Sequence, residues 1–166
     1  LYCDPIESKN RKSTIMLLNI ILNSLLKWFA PILSFTTEEI FRLLFKDKKS
    51  IHLEKFLKFP KKLKNEKLNE KWLEIIKIRD ICNLSIEEKR ANKDIGSSLE
   101  AELEIKLNSR LFELTNNIDF AELCITSKSS VNKNDKNEVI VETKKAKGSK
   151  CPICWKIQVE ACERHS

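Results

Sequence analysis

The segment from Cys151 to His165 contains a C-x2-C knuckle, Cys151-Pro152-Ile153-Cys154, a seven-residue spacer and a C-x2-H knuckle, Cys162-Glu163-Arg164-His165. Two ligands three positions apart can grip one ion from a tight turn, and two such turns complete a tetrahedron. Three thiolates and one imidazole suit Zn2+. No acid or base stands beside the set, so the expected ion is structural, with four protein ligands and no open position. A terminal tail this short cannot bury a core and needs such a staple to be ordered. The bland alternative is a reduced, disordered tail with a coincidental cysteine pair. Trp155 follows the first knuckle directly; it either caps the metal turn or stacks on a base.

The other reactive side chains are less organised. Cys3, Cys82 and Cys124 have no partner at ligand spacing, and Cys82 lies on an apolar helical stripe, as a small core residue would. His52 sits between Ile51 and Leu53, and no nearby Ser or Cys forms a recognisable catalytic pair with it, which favours a structural role. Catalytic residues are therefore not expected in this chain. Phosphate cradles are excluded as well: Gly96 and Gly148 are the only glycines among 166 residues, whereas a P-loop needs two in one short stretch and a dinucleotide fingerprint three. No signal-peptide pattern opens the chain, and three of the six cysteines crowd into the last sixteen residues. That usage fits metal binding in a reducing, cytoplasmic compartment better than a disulfide framework.

The elements that must position these residues follow from periodicity. Ser13 to Phe29 is densely apolar but interrupted by Asn19, Asn23, Ser24 and Lys27, too broken to span a bilayer; it predicts a helix buried on most sides, ended by Ala30-Pro31. Thr36 and Glu39 have the spacing of a capping box at the start of a second helix with Ile40, Phe41, Leu43, Leu44 and Phe45 inward. A third helix runs from about Glu66 to Ala91, on the stripe Leu68, Trp72, Ile75, Ile76, Cys82 and Ile86. Trp28, Phe41, Phe45 and Trp72 all sit at helical core spacing. Strict alternation over 100–107 then predicts a strand, 109–116 a short helix, and 123–126 and 139–141 two strands joined by a hairpin loop. Residues 144–150 read as a basic linker. The expected fold is mainly α: a helical bundle over 1–95, a small α/β module over 96–145 and a zinc-binding tail over 146–166.

Charge follows the same division. Residues 1–95 carry twenty basic and thirteen acidic groups, 96–145 seven and nine, and 146–166 four and two, within a net charge of +7. A polyanion would meet the first and last segments. The candidates for such contacts are Arg79, Lys89, Arg90, Lys93, Lys147, Lys150 and Lys156, with Trp155 as a stacking platform. Each of them is also explicable as a solvated surface charge.

Several stretches resemble the C-terminal region of the isoleucyl-tRNA synthetases, a class I ligase family. They are Leu1-Tyr2-Cys3-Asp4, the run from Ala30 through Ile40, Ile51-His52-Leu53, Ile95-Gly96-Ser97-Ser98-Leu99-Glu100-Ala101 and Cys151-Pro152-Ile153-Cys154-Trp155, in the family's order. The Ala30-to-Ile40 run is shared with valyl and leucyl relatives; the stretch around Gly96 and the knuckle point to the isoleucine type. The resemblance implies an anticodon-binding helical domain, an α/β junction and a zinc tail that engages the tRNA anticodon region. The family's tail commonly has four cysteines with a longer spacer, so His165 departs from the pattern. His-Ile-Gly-His and Lys-Met-Ser-Lys-Ser, the family's ATP-site signatures, are absent from this sequence. The resemblance thus implies a fragment whose parent, a monomer, joins isoleucine to its tRNA with ATP, the catalytic and editing domains lying upstream. A valyl-type fragment and a DNA-glycosylase zinc finger are the competing readings. The glycosylase's N-terminal proline has no counterpart here, because Pro5 is internal.

Overall fold

The computed structural model describes residues 4–46, 49–136 and 138–162. They form a mainly helical protein with a small mixed sheet, in two compact units, one up to Lys64 and one from Asn65.

In the first unit, α1 spans Lys9–Phe29 and α2 spans Ser34–Leu44. Ser8 starts α1 by accepting the Arg11 N–H at 3.1 Å, and Pro31 stands just past its end. The expected capping box is not formed. Helix α2 begins two residues before Thr36, after Leu33, which makes no side-chain cap. Thr37 instead donates its hydroxyl back to the Leu33 carbonyl at 2.9 Å. Leu26, Ala30, Phe41 and Ile51 form the core, with Leu22, Ile40 and Phe45 against them and the rings of Phe41 and Phe45 4.9 Å apart. Only this stripe of α1 is buried. Contrary to the expected burial on most sides, Ile15, Met16, Leu17, Leu18 and Trp28 are exposed, since two helices and short 3-10 turns cover one stripe of each other and no more.

The Glu38 carboxylate of α2 fastens the 3-10 turn Ile51–Leu53. It accepts from the Ile51 N–H and the Ser50 hydroxyl, each at 2.9 Å, and from Arg42 at 2.6 Å. The Ile51 amide above all, then Arg42 and Ser50, holds its pKa down at about 2. His52, exposed in the same turn, donates its backbone N–H to the Ser50 hydroxyl at 3.2 Å.

The second unit is built on α3, Glu66–Ala91, and a three-stranded sheet. Strand β1, Ala101–Leu107, buries Ala101, Leu103, Ile105 and Leu107 completely, as its alternation predicts. Ile78, Cys82 and Ile86 of α3 belong to the same core, with Leu111 of α4 (Ser109–Leu114) and Phe120 of α5 (Phe120–Leu123). Trp72, at the other end of α3, is exposed.

Two expectations fail in this sheet. Residues 123–126 are no strand: Asp119 caps α5, and Ile125 turns the chain at φ 56°. The strand is β2, Lys128–Lys133, inside the supposed loop. Nor do β2 and β3 (Ile140–Lys145) pair as a hairpin, because β1 lies between them, parallel to β2 and antiparallel to β3. A parallel pair requires a long crossover, which α4 and α5 supply. Beyond β3, residues read as linker contribute β4, Ser149–Lys150, which pairs antiparallel with β5, Ile157–Gln158.

Candidate metal centre and nucleic-acid interface

Cys151, Pro152, Ile153, Cys154 and Trp155 form the turn of the β4–β5 hairpin. The Trp155 N–H donates to the Cys151 carbonyl at 3.0 Å and the Cys151 N–H to the Lys156 carbonyl at 2.9 Å. Trp155 closes the turn in the left-handed region, φ 64°. This geometry aims both knuckle sulfurs the same way, and Cys162 joins them: the three Sγ atoms all lie within 4.8 Å of one another, Cys154 and Cys162 at 3.7 Å. A tetrahedral zinc thiolate site, with Zn–S near 2.3 Å, has an S···S edge of ~3.8 Å, which the Cys154–Cys162 pair matches, and the three sulfurs together could hold a metal ion. Burial above all pushes the Cys154 thiol up, a cost to the thiolate that a bound cation offsets. His165, the expected fourth ligand, lies outside the described residues, as does Cys3.

Gly148 shows how closely the hairpin strands cross. At φ 128°, an added Cβ would stand 2.1 Å from the Gln158 carbonyl oxygen, so only glycine fits. Two further ties hold the hairpin to the rest of its unit. The Ser127 hydroxyl accepts the Ile157 N–H at 2.6 Å and donates to the Leu99 carbonyl, and Lys156 pairs with Glu122 at 2.8 Å. Sequence reasoning did not find Ser127 or the Lys156–Glu122 pair, which join residues about thirty positions apart. Gly148 was the one available signal, being one of two glycines.

The cationic candidates fall into two groups, all in the second unit. Arg79, Lys89 and Arg90 lie on α3 and Lys93 just beyond it, in the left-handed region at φ 60°. Lys89 pairs with Asp94 at 3.1 Å and Arg90 with Glu87 at 2.7 Å. Arg79 is half-buried beside Cys124, whose thiol is drawn down first by a hydrogen bond from Cys82 and then by the Arg79 charge. In the tail, Lys147 and Lys150 are exposed, and the Lys150 ammonium lies 5.3 Å above the ring of Trp155, itself 58% exposed. Lys156 differs: its side chain is only 16% exposed and its ammonium is engaged by Glu122.

A basic tail with an exposed indole, beside helices that carry further cations, has the chemistry of a nucleic-acid surface. Comparison with known proteins decides between classes. Residues 1–105 match the family described as the anticodon-binding domain of tRNA ligase. The chain belongs to this anticodon-binding family. Its similarity to curated proteins extends through the tail. An isoleucine–tRNA ligase of Pelagibacter ubique (strain HTCC1062) is 61% identical over all of this chain, which covers 18% of that protein. Those of Bartonella henselae (strain Houston 1) and Caldicellulosiruptor saccharolyticus are 37% and 41% identical over 94% of the chain, covering 17% and 18% of their lengths. The anticodon-binding chain thus spans less than a fifth of these relatives. Neither the valyl-type reading nor the glycosylase finger is favoured by them. Among the described residues of this anticodon-binding chain, no helix is long and apolar enough to cross a membrane.

Proposed function

We propose that this chain is the tRNA-holding part of an isoleucine–tRNA ligase, binding the anticodon region of the isoleucine tRNA while other domains of the longer protein do the chemistry. The match of residues 1–105 to the anticodon-binding family carries the reading, and the relatives' shared identity as isoleucine–tRNA ligases names the amino acid. ATP, the isoleucine pocket and editing belong to the rest of a monomeric, cytoplasmic enzyme. The chain's contribution is binding and positioning, which lowers the barrier by holding the acceptor end of the tRNA in reach of the reacting centre.

Labour divides by segment. Residues 1–95 supply the helices of the anticodon-binding part, and within the second unit Arg79, Lys89, Arg90 and Lys93, on and just beyond α3, are the cations offered to phosphates. Residues 96–145 are the junction, and 146–166 hold Zn2+ through Cys151, Cys154, Cys162 and His165. The ion's chemistry is structural: it fixes the knuckle. Around it Lys147 and Lys150 supply charge and Trp155 a stacking face, whereas Lys156 acts mainly by tying the hairpin to Glu122.

Filter binding of the intact chain to isoleucine tRNA, another tRNA and duplex DNA tests the reading. The expected order places isoleucine tRNA first; equal affinity for all three overturns it. Pyrophosphate exchange by the complete ligase, with and without this segment, tests the division of roles. Exchange should survive its removal while aminoacylation falls; an equal loss of both rejects the separation.

A further inference from the structure

From Lys55 to Lys64 the chain reads Lys-Phe-Leu-Lys-Phe-Pro-Lys-Lys-Leu-Lys, five lysines in ten residues and no acid, against a net charge of +7 for the whole chain. The segment follows the 3-10 turn Ile51–Leu53 and lies wholly in the first unit. Residues 54–60 form neither helix nor strand, and a second 3-10 turn, Lys61–Leu63, comes after them. The acid that precedes the segment is already engaged: Glu54 pairs at 3.2 Å with the buried Lys27 ammonium, which fastens the start of the segment to α1. Leu57 is half-buried and lines the same cavity as Leu22 and Phe45. Around these two anchors Lys55, Phe56, Lys58, Phe59 and Lys61 are exposed, Phe56 at 61%. Among the described residues no carboxylate pairs with Lys55, Lys58 or Lys61.

Lysines that no carboxylate answers, interleaved with exposed rings, have the chemistry of a polyanion grip. A membrane surface is the poorer match. Segments that lie among lipid headgroups are amphipathic helices with a continuous apolar face. Residues 54–60 are not helical, and Leu57, between the two rings, is half-buried in the protein. What the segment lacks decides how it would hold RNA. Between Ile51 and Lys64 there is no Arg, Asn or Gln, whose planar ends read base edges by paired hydrogen bonds. Lysine is a point charge on a flexible stem and serves a phosphate of any sequence. Stacking on an aromatic ring is equally tolerant of the base.

Resting on the tRNA reading above, we propose that residues 55–64 are a sequence-blind strap for the RNA backbone, a contact surface separate from the cations of α3 and the tail. Lys55, Lys58 and Lys61 take phosphates, and Phe56 offers a ring to stack on. The strap adds affinity for any tRNA without choosing among them.

Salt titration of filter binding separates grip from choice. In the metal-loaded intact chain, Lys55→Gln, Lys58→Gln and Lys61→Gln combined should weaken isoleucine tRNA and a second tRNA by the same factor, at least about tenfold. The slope of log affinity against log salt should fall by ~2, the loss of about two to three phosphate contacts. The same three positions changed to Arg should bind as the unaltered chain does. Phe56→Ala should weaken both tRNAs about fivefold with the slope unchanged. If the triple glutamine variant keeps its affinity and slope while the unaltered chain prefers isoleucine tRNA, the strap is overturned and the tRNA reading stands. A loss confined to isoleucine tRNA also overturns it, since the segment would then be reading sequence. If the variant keeps its tRNA affinity but loses binding to vesicles of phosphatidylserine and phosphatidylcholine, the surface belongs to a membrane and the strap falls. An unaltered chain that holds isoleucine tRNA no better than another tRNA or duplex DNA removes the tRNA reading itself. A melting midpoint equal to that of the unaltered chain shows that each variant has kept its fold.

Discussion

Gly148 and Glu38 are single residues on which a local structure depends, and both give sharp expectations. A methyl group at 148 meets the Gln158 backbone at 2.1 Å and must also adopt φ 128°. Gly148→Ala should therefore open the β4–β5 hairpin and lower metal affinity at least tenfold in a chelator competition, with the far-UV helical signal intact. Glu38 acts through its charge. Its pKa of about 2 lies below the ordinary 4.5, so the carboxylate's contribution is complete above pH 4.5 and is lost as the pH falls toward 2. The Ile51 amide proton, which donates to Glu38, should titrate with a midpoint near 2, and in Glu38→Gln that titration should vanish. The cysteine pair could be read from sequence, because ligand type and spacing are written locally. Ser127 could not. Its role depends on where Leu99 and Ile157 meet in space, and neither neighbour in sequence hints at that.

At the scale of elements, β1 is the hub of the second unit. It pairs on both sides, and its four inward residues meet α3, α4 and α5. Leu103→Ala removes a fully buried side chain from the centre of that core and should cost ~2–5 kcal/mol in urea unfolding. Ile140→Ala, on edge strand β3 and 38% exposed, should cost less than ~1.5 kcal/mol. Equal costs would contradict the hub. Helix α3 and strand β1 were legible because each repeats its pattern over many residues, with period 3.6 or 2. Strand β2 was not: Lys-Ser-Ser-Val-Asn-Lys carries one large apolar residue, and its pairing comes from the backbone of β1. Its predecessor 123–126 looked more like a strand by composition, but Asp119 caps a helical turn that ends there. The exposed apolar side of α1 teaches the complementary point. Periodicity tells which face of a helix avoids water, and leaves open what covers it.

For the molecule as a whole, the question is which parts depend on the metal. The cores of both units are apolar and contain no ligand cysteine, whereas the hairpin of residues 149–158 has two-residue strands that cannot stand alone. Its hold on the unit is Ser127 and Lys156–Glu122, and in our reading the ion fixes its turn against Cys162. Chelation should therefore loosen the tail and spare the helices: the far-UV signal and main melting transition stay, while Trp155 fluorescence changes. Affinity for isoleucine tRNA should then fall, because Lys147, Lys150 and Trp155 lose their fixed arrangement. Charge alone would survive chelation, so the residual binding should keep its salt dependence, at a slope of ~0.7–0.9 per phosphate contact, and lose its preference for isoleucine tRNA. Readdition of Zn2+ should restore both the fluorescence and the preference. If chelation melts the helices as well, the ion supports the whole second unit. If it changes neither fluorescence nor tRNA preference, the three sulfurs gathered within 4.8 Å serve no ion that matters to binding.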